Sequence, residues 1–157
     1  MFAQTFNSIH HYEFSREEVF PLLCPVREKD WIDGWEYEMV YSRSGLVEKD
    51  CVFTTPFGQG IETTWYVSEH EPKLFYVEFV RVTQGLFTVR ISIQLDESKT
   101  GCTADISYRY TALSQLGKTM IESMVAQHFH EDMKYWEKAL NHYLATGKML
   151  VKEPMAG

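Results

Sequence analysis

A long run of alternating strands that ends in a single amphipathic helix, Ser114 to Ala145, limits this chain to a sheet covered by a helix. From Trp35 to Thr111 apolar and polar side chains alternate, the two-residue period of half-buried strands. After Ser114 the period lengthens. At about 100° per residue, Ile121, Val125, Phe129, Trp136, Ala139, Leu140 and Tyr143 fall within one broad arc. His128 and Asp132 project from the near edge of that arc, and an inward polar pair points to a cavity rather than a plain core.

The elements can be placed in order. Phe2 to Phe14 alternates as a first strand, with Phe6, Ser8, His10, Tyr12 and Phe14 on one side. Ser15 with Glu18 forms a capping box, which predicts a short helix from Arg16 to Leu23. Pro21 is awkward inside it, since proline removes an amide donor. Pro25 opens a second short helix, Val26 to Ile32, stopped by the Asp33-Gly34 turn. Trp35, Tyr37, Met39 and Tyr41 then share one strand face. Strands follow over Lys49 to Thr55, Ile61 to Ser68, Lys73 to Val82, Phe87 to Leu95 and Cys102 to Thr111, with turns at Pro56 to Gly60, Glu71-Pro72 and Ser98 to Gly101. Strands joined this closely pair antiparallel, one face apolar and the other wet. The terminal helix starts at a Leu113 staple and Ser114 cap and stops at Gly147; at about 1.5 Å per residue it is roughly 48 Å long, enough to cross the sheet.

The 157 residues fit a single domain over 1–150, with 151–157 expected to fray. A net charge of -7 argues against a phosphate-backbone partner, so no nucleic acid is expected, and no window is apolar enough for stable membrane insertion. Cys24, Cys51 and Cys102 are scattered and odd in number; they read as reduced thiols of a cytoplasmic protein. Gly58-Gln59-Gly60 is a turn with no helix after it, so no nucleotide cofactor is expected. The sequence leaves a homodimer open.

The order of strand, two short helices, a meander of strands and one long C-terminal helix resembles the helix-grip superfamily, also called START-like or SRPBCC. Its members include polyketide cyclases and dehydrases, lipid-transfer domains and a chaperone-activator domain. Glu18 to Trp31, followed by Gly34-Trp35, looks like the helix-pair region of a bacterial subset of that superfamily. The resemblance implies an α+β fold, a curved antiparallel sheet of about seven strands wrapped on the C-terminal helix. It also implies a cavity between the two that takes a hydrophobic small molecule. It implies no shared catalytic set.

Each candidate site residue has two readings. His128 and Asp132, four apart on the helix, form either a carboxylate-oriented general base or polar anchor, or an interior hydrogen bond satisfied by Tyr108 or Tyr110. His130 points about 200° from His128, so the two cannot share an ion, and no metal is assigned, although His128, Asp132 and a strand carboxylate remain geometrically allowed. Trp35, Tyr37, Tyr41, Trp65, Phe87, Tyr108 and Tyr110 are pocket walls or core, as are Ile121, Val125 and Trp136 on the helix. Glu78 and Arg81 have an ambiguous alternation and are expected to face outward. Arg90 is expected to pair with Glu62 or Asp105 on the wet face. The leading functional expectation is binding of an apolar or aromatic molecule beneath the helix. The alternatives are a cyclase, dehydratase or aromatase using His128 and Asp132, and a protein-interaction module.

Overall fold

The period-two segments pair into one sheet. The computed structural model describes residues 1–152 and contains β1 (Ala3–Tyr12), β2 (Glu38–Tyr41), β3 (Val52–Gly58), β4 (Ile61–Glu71), β5 (Tyr76–Thr83), β6 (Phe87–Ser98) and β7 (Gly101–Ala112). Their order is β1-β7-β6-β5-β4-β3-β2, antiparallel throughout. Short connections explain the consecutive pairing of β2 to β7. Only β1 pairs out of sequence, reaching β7 after α1 (Arg16–Val19) and α2 (Pro25–Trp31) have carried the chain across the sheet. This is the expected seven-stranded sheet with two short helices after the first strand.

Local chemistry sets the ends of these helices. The capping box at α1 forms as expected: the Glu18 amide donates to Ser15 Oγ at 3.2 Å, and the Ser15 amide donates to Glu18 Oε1 at 3.3 Å. Pro21 ends α-helical geometry early, and Phe20–Leu22 tightens into a 3₁₀ turn. The terminal helix runs through Gln115–Met120, a π-helical turn at Ile121–Val125, and Ala126–Thr146. Its Ser114 cap accepts from the Gly117 amide at 3.0 Å and donates to the Gly85 carbonyl at 2.6 Å, tying the helix start to the turn after β5. Gly147, at φ 73°, ends it in the left-handed conformation that glycine adopts without strain.

Val67, Val77, Val89 and Leu95 of the sheet and Ile121 and Leu140 of the helix are fully buried, each worth about 1.5–3 kcal/mol relative to exposure. The helix also covers an open sheet edge. Glu137 accepts from the His11 amide at 2.7 Å, and Asn141 accepts from the Glu13 amide at 3.1 Å and donates to the His11 carbonyl at 3.0 Å. Two backbone groups of edge strand β1 and one just past its end are thus occupied by helix side chains, which blocks pairing with another chain there.

Several expectations are corrected. Regular pairing of β2 begins only at Glu38, and its register slips between Met39 and Tyr41. A bulge turns the following side chain to the other face, so Tyr41 is 57% exposed rather than inward. Pro56, read as a turn, lies within β3 beside another register shift, where its missing amide is tolerated. Arg90 stands opposite Arg109 on β7 and Val80 on β5, so neither expected acidic partner faces it. Of the tail expected to fray, 151–157, residues 153–157 lie outside the described residues; the Lys152 amide donates to Asp33 Oδ2 at 2.9 Å. Among the described residues, no helix is long and apolar enough to cross a membrane.

Candidate functional site

Where the terminal helix crosses the inner face of the sheet, a cleft of about 480 Å³ opens between them. Tyr108 and Tyr110 of β7 and Arg81 of β5 form its sheet wall; Val125, His128, Phe129, Asp132 and Trp136 form its helix wall. The π-helical turn lies at this crossing, and its last residue, Val125, lines the space. Toward Phe57 and Phe87 the cleft adjoins a space of about 140 Å³ through shared walls at Arg81, Tyr110 and Val125. In the other direction the cleft shares Tyr108 and Trp136 with a smaller, largely closed cavity of about 30 Å³. That blind end has room for little more than a water or two.

The structure sorts the sequence-predicted residues into groups. Tyr108, Tyr110, Val125, His128, Asp132 and Trp136 meet around the main cleft, and Phe87 lines the space beside it. Trp65 is buried behind them, stacked on Phe53 at 5.2 Å between ring centroids. Trp35 packs edge-on against Trp65 at 6.2 Å, and Ile121 is core. Tyr37 lines a separate polar groove with Lys29 and Glu62, and Tyr41 faces solvent. His128 and Asp132 are both exposed at the cleft mouth rather than directed into the interior. The buried line of this helix runs through Phe129 and Met133, and each polar residue precedes one of these by a single position, about 100° around the axis. They therefore flank the buried stripe. Among the described residues, no three His, Cys, Asp or Glu side chains converge on a metal position, so the allowed set containing His128 and Asp132 is not assembled there.

Two features were missed from sequence. Arg81 lies on the inner row of β5, between Phe79 and Thr83, instead of facing outward. Its guanidinium stands 5.1 Å from the Trp65 ring centroid and 5.8 Å from that of Tyr108, and it donates to the Tyr110 hydroxyl at 3.1 Å. The second is the polar lining of the blind end, made by His10, Tyr12, Glu28 and Tyr108. His10 is 2% exposed; its Nδ1 meets the Tyr12 hydroxyl at 2.7 Å, while Nε2 has no partner among the described residues.

Burial dominates the electrostatics at this end. It pushes the His10 imidazole down to about 4, an effect opposed by the negative charge of Glu137 and aided by His11. The Glu28 carboxyl is pushed up to about 8 by burial alone. Burial likewise holds the Tyr12 and Tyr108 hydroxyls well above the usual phenol range. Both shifts favour the uncharged forms, an imidazole that can accept a hydrogen bond and a carboxylic acid that can donate one. The face of His10 and Tyr12 was readable from strand alternation, but nothing in the sequence placed Glu28 opposite them.

No family sequence model matches the chain, and no curated protein resembles it in sequence. Solved structures do resemble it in shape. Ara h 8.0201 superposes with a TM-score of 0.69 at 13% identity, over 92% of this chain and 99% of that one. Norcoclaurine synthase from Thalictrum flavum, in complex with dopamine and hydroxybenzaldehyde, gives 0.68 at 10% identity, over 94% and 89%. DynU16, from the dynemicin biosynthetic locus, gives 0.63 at 18% identity, over 92% of this chain and 48% of the other. The sheet order, the paired short helices and the crossing terminal helix, together with these superpositions, show that the chain has the START-like, or SRPBCC, helix-grip fold.

Proposed function

We propose that this protein binds a hydrophobic or aromatic small molecule in the cleft between the inner sheet face and the terminal helix. The observation that carries this reading is the adjoining run of space, about 140, 480 and 30 Å³, walled by aromatic and aliphatic side chains, with Arg81, His128, Asp132 and Lys152 as polar groups around the main cleft. The open cleft favours a small-molecule site over an interaction module with a filled interior. Norcoclaurine synthase supports it at the level of the fold, since a structure of the same shape holds two small aromatic compounds.

The reading is tested by native mass spectrometry of freshly purified protein and by thermal melts against an apolar library. Bound ligand should raise the melting temperature, and Val125→Trp, which fills the cleft from its helix wall, should weaken binding by about tenfold or more while leaving the fold intact. A library that leaves the wild-type melting temperature unchanged, with no copurified ligand, rejects the proposal.

A second reading, acid–base catalysis of the cyclase or dehydratase kind, has a specific observation in its favour. Groups in one cavity whose proton affinities are pushed apart are candidates for an acid and a base, and Glu28 and His10 both line the blind end. His128 and Asp132 at the mouth are the competing set. With a substrate that binds the cleft, His10→Gln or Glu28→Gln should lower turnover by about 100-fold or more if the blind end is catalytic, with His128→Asn near wild type. The opposite ranking would move the chemistry to the mouth, and no turnover with any bound compound removes the enzymatic reading.

A further inference from the structure

Arg81 is a cation placed where an apolar site has no structural need for one. The inner row of β5 reads Val77, Phe79, Arg81, Thr83, and each of the other three is buried. Strand alternation fixes Arg81 to that row, so its head group enters the space under the helix at the junction of the two larger cavities. Removing a guanidinium from bulk water is costly unless acceptors replace the lost hydration. Arg81 is half-buried, so water in the open cleft still reaches it, but the protein itself offers few acceptors. Two aromatic faces flank the group, one hydroxyl accepts from Nη2, and among the described residues no carboxylate lies within 4 Å of it. Asp132 lines the same cleft but is beyond that distance.

The local charge balance has the same direction. The cleft is lined by two fixed cations, Arg81 and Lys152, and one carboxylate, Asp132, in a chain whose net charge is -7. A site shaped only for neutral molecules would not need that reversal. A guanidinium carries five N–H donors in a planar fork that matches a carboxylate in bidentate fashion, and Tyr110 occupies only one of them. The aromatic faces of Trp65 and Tyr108 hold the plane of the fork without satisfying its donors.

We infer that the occupant of the cleft is an amphipathic monocarboxylate whose acid group is held by Arg81 and whose apolar body lies along Tyr108, Val125 and Trp136. This rests on the proposal that the cleft is a ligand site. The apolar body can be aromatic or aliphatic, and the geometry sets only the shared requirement for a carboxylate head.

Two matched pairs of probes separate these possibilities: 2-naphthoic acid against 2-naphthalenemethanol, and decanoic acid against decanol, titrated calorimetrically at neutral pH. At least one acid should bind wild-type protein about tenfold or more tightly than its alcohol, the scale of a charge-assisted hydrogen bond. In Arg81→Gln the ratio of acid to alcohol affinity should fall to about one. Arg81→Lys, which keeps the charge but loses the fork, should retain only part of the preference and covers the case in which the glutamine variant does not fold. Equal binding of acid and alcohol by the wild type overturns the carboxylate inference while leaving the cleft as a hydrophobic site. A preference that survives in Arg81→Gln overturns the assignment to Arg81. Failure of all four probes, together with an inert apolar library, overturns the underlying ligand site as well.

Discussion

Replacing Gly117 with alanine should lower the melting temperature by roughly 5 °C, although alanine is the better helix former by about 1 kcal/mol. Gly117 lies in the first turn of the terminal helix, where the helix presses against the segment joining β5 to β6. A Cβ built there would stand 1.8 Å from the Leu86 carbonyl oxygen and 2.7 Å from its carbon. Both are backbone atoms, so no side-chain rotation relieves the clash. The Leu86 carbonyl is also committed, accepting from the Leu113 amide at 2.8 Å, and its own amide donates to the Thr83 carbonyl at 3.0 Å. Either the helix start must lift from the sheet or those two bonds must break. Overpacking of this kind costs about 1–3 kcal/mol and sometimes more, which outweighs the propensity gain. Thr119→Ala, on the exposed side of the same turn, is the control and should leave the melting temperature within about 2 °C of wild type. A Gly117→Ala protein as stable as the parent would mean that the close approach is absent in solution. Because the same segment anchors the helix over the cleft, the variant should also lose ligand affinity.

How much of this was legible depended on contrast between adjacent residues. β6 and β7 alternate strongly, so Phe87, Tyr108 and Tyr110 were read onto the correct face. β5 gives no such contrast: Val77 and Phe79 lie inside, but Val80 and Val82 on the opposite face are equally apolar, and Arg81 could not be oriented. The bulge in β2 left no mark, because one extra residue changes the register without changing the composition, and Tyr41 was misplaced for that reason. For His128 and Asp132 an angular pattern gives direction around a helix axis but not depth. Both do lie on the cleft side, yet the helix carries them at the mouth, while the polar groups of the blind end come from β1, α2 and β7. That His10 and Glu28 line one cavity is a long-range product of the fold, created when β1 pairs with β7 and α2 folds over the end of the cavity. No local spacing encodes it.

Glu28→Gln should remove a loss of stability that the wild-type protein shows between pH 6.5 and pH 8. In the folded chain burial raises the Glu28 carboxyl from its ordinary 4.5 to about 8. Between those values the folded state holds a proton that the unfolded state has released, so stability falls as pH rises, at most by about 1.4 kcal/mol per pH unit. His10 acts in the opposite sense, because burial lowers it from 6.5 to about 4. Over that lower interval the unfolded state binds the extra proton, and stability rises with pH. The two slopes oppose each other from 4.5 to 6.5, and of this pair only Glu28 acts above 6.5. Since Glu28 is half-buried, water screens part of the effect, and the expected decline to pH 8 is on the order of 1 kcal/mol. Urea denaturation at pH 6.5 and pH 8 measures it directly. The glutamine variant, which keeps the shape and the donor of the protonated acid, should be flat over that interval and more stable than wild type at the upper end. Parallel curves for the two proteins would show that Glu28 is ionised in the folded state, and the blind end would then hold a carboxylate rather than a neutral donor.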